Sequence, residues 1–351
     1  MDFSNNSNKK EALHGGDVYR NEVRLDFSVN LNPFPMPQEV TEAMQAGLSE
    51  IHQYPDPSQQ KLRERIAALE GTGIDNVVCG NGASELLMAA VHAVMPRKAL
   101  IAAPCYAGYA VALKAADSEI TEYLLDEEKD FAVDEGILNR IDDGIDMVFV
   151  SDPNNPNGRL IDPELKKAIT AKCEECGVVL VIDECFYPLT EEGYVRKVIA
   201  DNALHLRAFT KTFAIPGIRI GYMISCNEVL LKKIRKHLPE WNVSRIAERT
   251  GEAAAEVLES TGYLRDSVRV IKQEREYLAG QLERLGIRVY KSDTNYLLIK
   301  SAVGLYERLL KKGILIRRCA NFSGLDDNYF RIAVRQHKDN EELINVLGKV
   351  L

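Results

Sequence analysis

Two short apolar runs limit the fold of this chain more than any other feature. They are "DMVFVSD" (146–152) and "VVLVIDE" (178–184). Each is rich in β-branched residues and lacks the polar alternation of a half-exposed strand, which is the pattern of a strand buried on both faces. A helical segment, Pro163 to Cys176, lies between them. From about residue 59 the same alternation recurs. "QQKLRERIAALEG" puts Leu62, Ile66 and Leu69 on one helical face, "NVVCG" reads as a strand, and "ASELLMAAVHAVM" as a helix. "KALIAAP" is another strand and "YAGYAVALKAA" another helix. Strands alternating with helices predict an α/β domain on a mostly parallel sheet.

The pattern changes after residue 226. Helical segments cover "EVLLKKIRKHL", "RIAERTGEAAAEVLES" and "YLRDSVRVIKQEREYLAGQLERLG", and strands follow near "IRVYK", "NYLLIKS" and "YFRIAVR". The expected organisation is an N-terminal arm (1–35), a large domain (36–226) and a smaller C-terminal α+β domain (227–351). The arm is expected to pack on the small domain or on a partner subunit.

At 351 residues, 46% hydrophobic and 27% charged, the composition is that of an ordinary globular protein. The formal net charge of −8 argues against nucleic acid or an anionic membrane as the main partner. No apolar run is long enough to span a bilayer, and the first residues lack a signal-peptide core, so a cytoplasmic location is expected. Seven dispersed cysteines fit reduced thiols. Cys173 and Cys176 form a CxxC, but no second pair accompanies them, so no metal site is expected; they read as thiols on the last turn of a helix ended by Gly177.

Four loops fall where such a sheet builds a site, past the carboxyl ends of its strands. In "CGNGASELL", glycines at 80 and 82 precede a helix whose free N–H groups suit a phosphate, although many such turns only connect. "SDPNNPNGRLI" is a stiff turn, either an ordinary Asx loop or a fixed amide donor. Asp183 closes an apolar run, so its carboxylate needs a partner. That partner is a helix end, a salt bridge or a protonated ring nitrogen. In "LRAFTKTFAIPGIRIGY" Lys211 sits among apolar neighbours that lower its pKa, Thr210 offers a hydroxyl, and Arg219 a bidentate fork for phosphate. A loop lysine beside a structural arginine is the alternative.

Taken together the four loops describe a pyridoxal phosphate site. "NNPNG", "DECF" and "FTKTFAIPGIRIGY" resemble, in that order, the fold-type I aminotransferases, over nearly the whole chain. The resemblance implies Lys211 as the lysine that forms the Schiff base, Asp183 at the pyridine nitrogen and Asn155 at the ring hydroxyl. It implies Gly82, Ala83, Ser84, Thr210 and Arg219 around the cofactor phosphate, and Tyr106 stacked on the ring. Tyr54, in "YPDP", matches a tyrosine that reaches the neighbouring subunit's cofactor, which implies a homodimer with shared sites.

Within that superfamily "HGGDVY", "LDFSVNLNPFPMP" and "ILIRRCANFSGLDDNYFRIAVR" resemble the branch of the histidinol-phosphate aminotransferases and threonine-phosphate decarboxylases. The resemblance implies an arginine pair for the substrate. Arg331 is assigned to its carboxylate, Arg317 to that carboxylate or to a substrate phosphate, with Arg318 adjacent and His14 a further phosphate candidate. Asn155 also faces the substrate. Two positions depart from many relatives: Ala208 replaces a serine that helps hold the phosphate, a loss of about 1 kcal/mol, and Phe186 replaces a tyrosine that donates to the ring oxygen. The leading expectation is a decarboxylase of a small O-phosphorylated amino acid, threonine phosphate first and serine phosphate next, serving cobalamin linker synthesis. The alternatives are an aminotransferase using a 2-oxo acid acceptor and a non-catalytic cofactor-binding regulator.

Overall fold

The structure, a computed structural model, describes residues 15–193 and 202–351. The chain opens with β1 (Leu25–Asp26), α1 (Gln38–Ser49) and α2 (Gln60–Glu70), then enters a large sheet. Its strands and helices alternate: β2 (Val77–Gly80), α3 (Ala83–Val94), β3 (Lys98–Ala103), α4 (Gly108–Ala115), β4 (Glu119–Leu124), β5 (Met147–Ser151), α5 (Pro163–Glu175), β6 (Val179–Asp183), β7 (Leu204–Ala208), the single turn α6 (Phe209–Thr212) and β8 (Gly221–Ile224). Helices α7 (Glu228–Arg235), α8 (Arg245–Ser260) and α9 (Tyr263–Arg284) follow. The rest comprises β9 (Arg288–Val289), β10 (Tyr296–Lys300), α10 (Leu305–Leu310), β11 (Ile314–Leu315), β12 (Arg317–Arg318), β13 (Tyr329–Ala333) and α11 (His337–Val350).

The large sheet has the order β2-β8-β7-β6-β5-β3-β4, and only β8 runs against the others. Why the strands read as unbroken apolar runs is visible in their packing. Val148, Val150, Leu180 and Ile182 point to one face, under α5. Met147, Phe149, Val181, Leu204 and Leu206 point to the other, under α3, α4 and α7. Period-two alternation thus delivers apolar groups to two cores rather than to one core and water. The edge strand β4 and the antiparallel β8 were not legible as strands. In β4, "EITEYL" carries glutamates because one long edge of it faces solvent.

Packing divides the chain differently from its order. Val243, Ala247, Ala254 and Val257 of the segment after residue 226 share a core with Leu62, Ile66, Val77 and Tyr222, so α8 covers the large sheet. Phe27, from near the start, is buried with Leu278, Leu297, Ile316 and Leu343. This second core backs the antiparallel sheet β12-β13-β10-β9, and β1 pairs with β11 beside it. Within the arm, Leu25 and Phe27 pack on the smaller unit, whereas Phe34 packs on the large one. Cys173 is buried in the first core, Cys176 caps α5, and Gly177 ends the helix at φ 69°. Both thiols are free, and no metal-binding group of side chains occurs among the described residues. No helix among them is long and apolar enough to cross a membrane.

One buried ionic cluster ties α2 to the middle of the sheet. Arg207 on β7 donates from Nε to Glu184 Oε2 (2.8 Å) and from Nη1 to Glu70 at the end of α2. Tyr222 completes it by donating to Glu70 Oε1 (2.6 Å). Burial pushes the Glu184 carboxyl up, but Arg207 and His205 outweigh that and hold it well below the usual carboxylate range. Removing one member of a buried ion cluster strands the other charges. Arg207→Met is therefore expected to lower unfolding stability by about 3–5 kcal/mol, read as a fall in the urea midpoint. An unchanged midpoint would mean the cluster is dispensable.

Candidate active site

The register of the parallel strands sets the level of the site. Ser151 on β5 pairs with Asp183 on β6, and Asp183 with Leu206 on β7. All three line a cavity of about 400 Å³ at the carboxyl edge of the sheet. One turn past β7, α6 brings Lys211 into the same cavity. The turn is pinned from outside: the Asn32 backbone N–H donates to Lys211 O (3.1 Å), and its side chain to Thr212 O (2.8 Å).

Asp183 is held by two donors. The Tyr109 hydroxyl donates to Oδ2 (2.8 Å) and the Cys185 backbone N–H to Oδ1 (3.0 Å). Burial pushes the carboxyl above its ordinary range, against the pull of these donors. Lys211 moves the opposite way. Burial, then the Arg331 and Arg219 charges, lower its pKa, so more of it is a free amine at neutral pH. An acid and an amine that burial pushes toward their neutral forms mark a chemical site rather than a salt bridge. Phe186, 5.7 Å from Lys211 Nζ, offers the amine a ring face and no hydroxyl.

At one end Arg219 faces the start of α3. Arg219 adopts φ 61° and donates from Nη1 to Pro216 O (3.1 Å). Gly82 has φ 77°, and a Cβ there would lie 2.4 Å from Arg219 Nη2, so only glycine lets the guanidinium lie against the loop. Gly82 thus supports the cavity without lining it, whereas Ala83, Ser84 and Thr210 line it. Ser84 hydrogen-bonds the hydroxyl of Tyr106, whose ring also borders the cavity. A helix N-terminus, two hydroxyls and a guanidinium make an anion cradle.

The smaller unit supplies two further arginines to the cavity. Arg317 and Arg331 stand opposite each other on β12 and β13, both buried and both lining the cavity. Arg331 donates from Nη1 to Asn155 Oδ1 (2.5 Å) and from Nη2 to Ser28 O (2.9 Å). Arg317 donates to Asn321 Oδ1 (2.7 Å) and packs on Phe322. Of the asparagines in the 153–158 turn, only Asn155 lines the cavity. Asn154 and Asn157 bond the backbone of Pro104, Asp130 and Phe131.

Arg318 and Tyr54 do not line this chain's cavity. Arg318 points outward to Glu307 and Asp327. Tyr54 is 80% exposed and stacks on Trp241, 4.8 Å between centroids. His14 lies outside the described residues. Sequence reasoning missed Ser28, Asn30, Tyr109 and Phe322. Asn30 is 2% exposed, lines the cavity, and neither of its side-chain polar atoms has a partner, as expected of a group that bonds a bound molecule. Only the long "LDFSVNLNP" resemblance pointed toward it. Ala208, at the start of α6, lines the cavity with no polar group to offer.

These residues fit pyridoxal phosphate: an anion cradle closed by Gly82 and Arg219, a buried acid with both oxygens fixed, and a desolvated amine between them. The comparisons agree. The family model described as aminotransferase class I and II matches residues 22–347. A threonine-phosphate decarboxylase from Salmonella typhimurium is 33% identical, with 97% of each chain covered. A histidinol-phosphate aminotransferase from Methanothermobacter thermautotrophicus is 30% identical over 97% of this chain and 92% of its own. The solved histidinol-phosphate aminotransferase from Clostridium acetobutylicum superposes with a TM-score of 0.83 at 34% identity, covering 93% of this chain and 98% of that one. The chain belongs to the class I and II aminotransferase family of fold-type I, whose members depend on pyridoxal phosphate.

Proposed function

We propose that this chain decarboxylates a small O-phosphorylated amino acid, L-threonine O-3-phosphate first and the serine analogue next, in the manner of the cobalamin-linker enzymes it resembles. The observation that carries the reading is the buried pair Arg317 and Arg331 on adjacent strands, both lining the cavity. With Arg219 given to the cofactor phosphate, two guanidiniums remain for the substrate. A phosphorylated amino acid brings two anionic groups, a carboxylate and a phosphate. Histidinol phosphate brings one. Arg331, held between Asn155 and Ser28, has the fixed fork that orients a carboxylate. Arg317 and the unpartnered Asn30 then take the phosphate.

In this reading Asp183 holds the proton of the pyridine nitrogen, Asn155 meets the ring hydroxyl, and Tyr106 covers the ring. Ala83, Ser84, Thr210 and Arg219 hold the phosphate, with Gly82 shaping the loop. Pyridoxal phosphate supplies the electron sink for a bond broken at the substrate's Cα. The chain decides which bond that is. Arg331, by fixing the orientation of the substrate carboxylate, would select the Cα–carboxylate bond as the one that breaks. Carbon dioxide leaves, and Lys211, once it has taken up a proton from the substrate's amino group, would be placed to deliver that proton to Cα. A second copy of the chain completes the site with Tyr54, which sits beside exposed Leu48, Ile51 and Trp241.

Each part has its measurement. Incubation with O-phospho-L-threonine and no keto acid is expected to release carbon dioxide over many turnovers. No release, with turnover of histidinol phosphate once 2-oxoglutarate is added, would sink the decarboxylase in favour of an aminotransferase. Lys211→Ala is expected to abolish the visible absorbance of the bound cofactor and its fixation by borohydride; persistence of either would refute the assignment of the lysine. Sedimentation is expected to give twice the protomer mass, and Tyr54→Ala to weaken cofactor retention. A monomer with full cofactor content would exclude shared sites.

A further inference from the structure

Tyr109 touches both Asp183 and Tyr106 and does not line the cavity. It comes from α4, far from Asp183 in sequence, and is completely buried. Its ring stacks on Phe149 (5.4 Å, 20° between planes) and meets Tyr106 edge-on (5.6 Å, 83°). Its hydroxyl donates to Asp183 Oδ2 at 2.8 Å. The other donor to this carboxylate is the backbone N–H of Cys185, two residues along the same turn. It moves with Asp183 and cannot orient it against the rest of the cavity. Tyr109, clamped between Phe149 and Tyr106, can.

We propose that Tyr109 is a positioning residue for the cofactor: it fixes the Asp183 carboxylate and braces Tyr106, so that the acid at the ring edge and the aromatic on the ring face are set by one side chain. The inference rests on the assignment of Asp183 to the pyridine nitrogen. The chemistry follows from the donor count. A buried carboxylate is ionised only as far as hydrogen bonds favour the charged form. Glu184, whose charge Arg207 and His205 balance, lies next to it, and Cys105, Cys185, Tyr106, Tyr296 and Lys211 are the other titratable groups that feel its charge. Without the Tyr109 hydroxyl, Asp183 is less ionised and holds the ring nitrogen's proton less firmly. A ring with less positive charge repels a proton on the lysine-linked nitrogen less, so that nitrogen titrates at higher pH.

Tyr109→Phe keeps the ring and removes the donor. Reconstituted with pyridoxal phosphate, the variant is expected to bind the cofactor about tenfold more weakly. The pH midpoint of the bound cofactor's visible absorbance is expected to rise by roughly half a unit. In an Asp183→Asn background the same change is expected to add less than about twofold, because the two residues act as one unit. Wild-type affinity and midpoint in Tyr109→Phe, with only a lower melting temperature, would reduce the tyrosine to a packing role and overturn the proposal. So would equal losses in both backgrounds. If Asp183→Asn alone leaves affinity and midpoint unchanged, the assignment of Asp183 fails, and the proposal fails with it for that separate reason.

Discussion

Everything in the site depends on the register of three parallel strands. Because β5, β6 and β7 pair with Ser151, Asp183 and Leu206 side by side, their carboxyl ends stop at one level. The loops that leave them deliver an asparagine, a carboxylate and an amine to one cavity. A slip of one residue in any strand would turn Val150, Ile182 or Leu206 from an apolar core to the opposite face, and two cores would object at once. Burial on both faces therefore fixes the chemistry as firmly as it fixes the fold. The Arg207 cluster reinforces the same level, since Glu184 is Asp183's neighbour in the chain and is anchored to α2 through Arg207 and Glu70.

A second constraint joins the two units. Arg331 comes from the antiparallel sheet, yet it donates to Asn155 of the large unit and to Ser28 of the N-terminal segment. Tyr296, one strand over, donates to Asn154 O (2.9 Å), and the Asp293 N–H to Gly158 O (2.8 Å). The "NNPNG" turn is thus bonded from both sides. Its outer asparagines, Asn154 and Asn157, serve the backbone, and this is why a turn with so many amides yields one that faces the cavity. Asn32 makes a parallel contribution at the lysine turn. The chemistry sits where three separate stretches of chain each supply a hydrogen bond to the others.

How much of this could be read in the sequence depended on whether the signal was local. The buried strands β5 and β6 announced themselves because their environment is apolar on both sides, whereas the equally buried β7 and β8 did not. Asp183 and Lys211 stood out because a charged group at the end of an apolar run has few innocent explanations. Tyr109 and Asn30 did not stand out. A tyrosine in a helix and an asparagine in a loop are ordinary in composition, and their meaning lies in partners far along the chain. The packing of α8 on the large sheet was hidden for the same reason: its apolar face shows in the sequence, but not which surface it covers.

The sequence by itself determined the alternation of buried strands and helices, the chemical types available past each strand and, through a long resemblance, the family and cofactor. Those are properties of neighbours along the chain, and local periodicity and motif order record them. Only the tertiary structure decided that Arg317 and Arg331 face one another across a strand pair, that Arg318 beside them turns outward, that Asn30 is buried without a partner, and that Tyr109 reaches Asp183. Each of these depends on strand register or on the meeting of distant segments. A side chain's direction in a sheet reverses with every residue, so chemistry that adjacent letters share in the sequence is split between two faces in the fold.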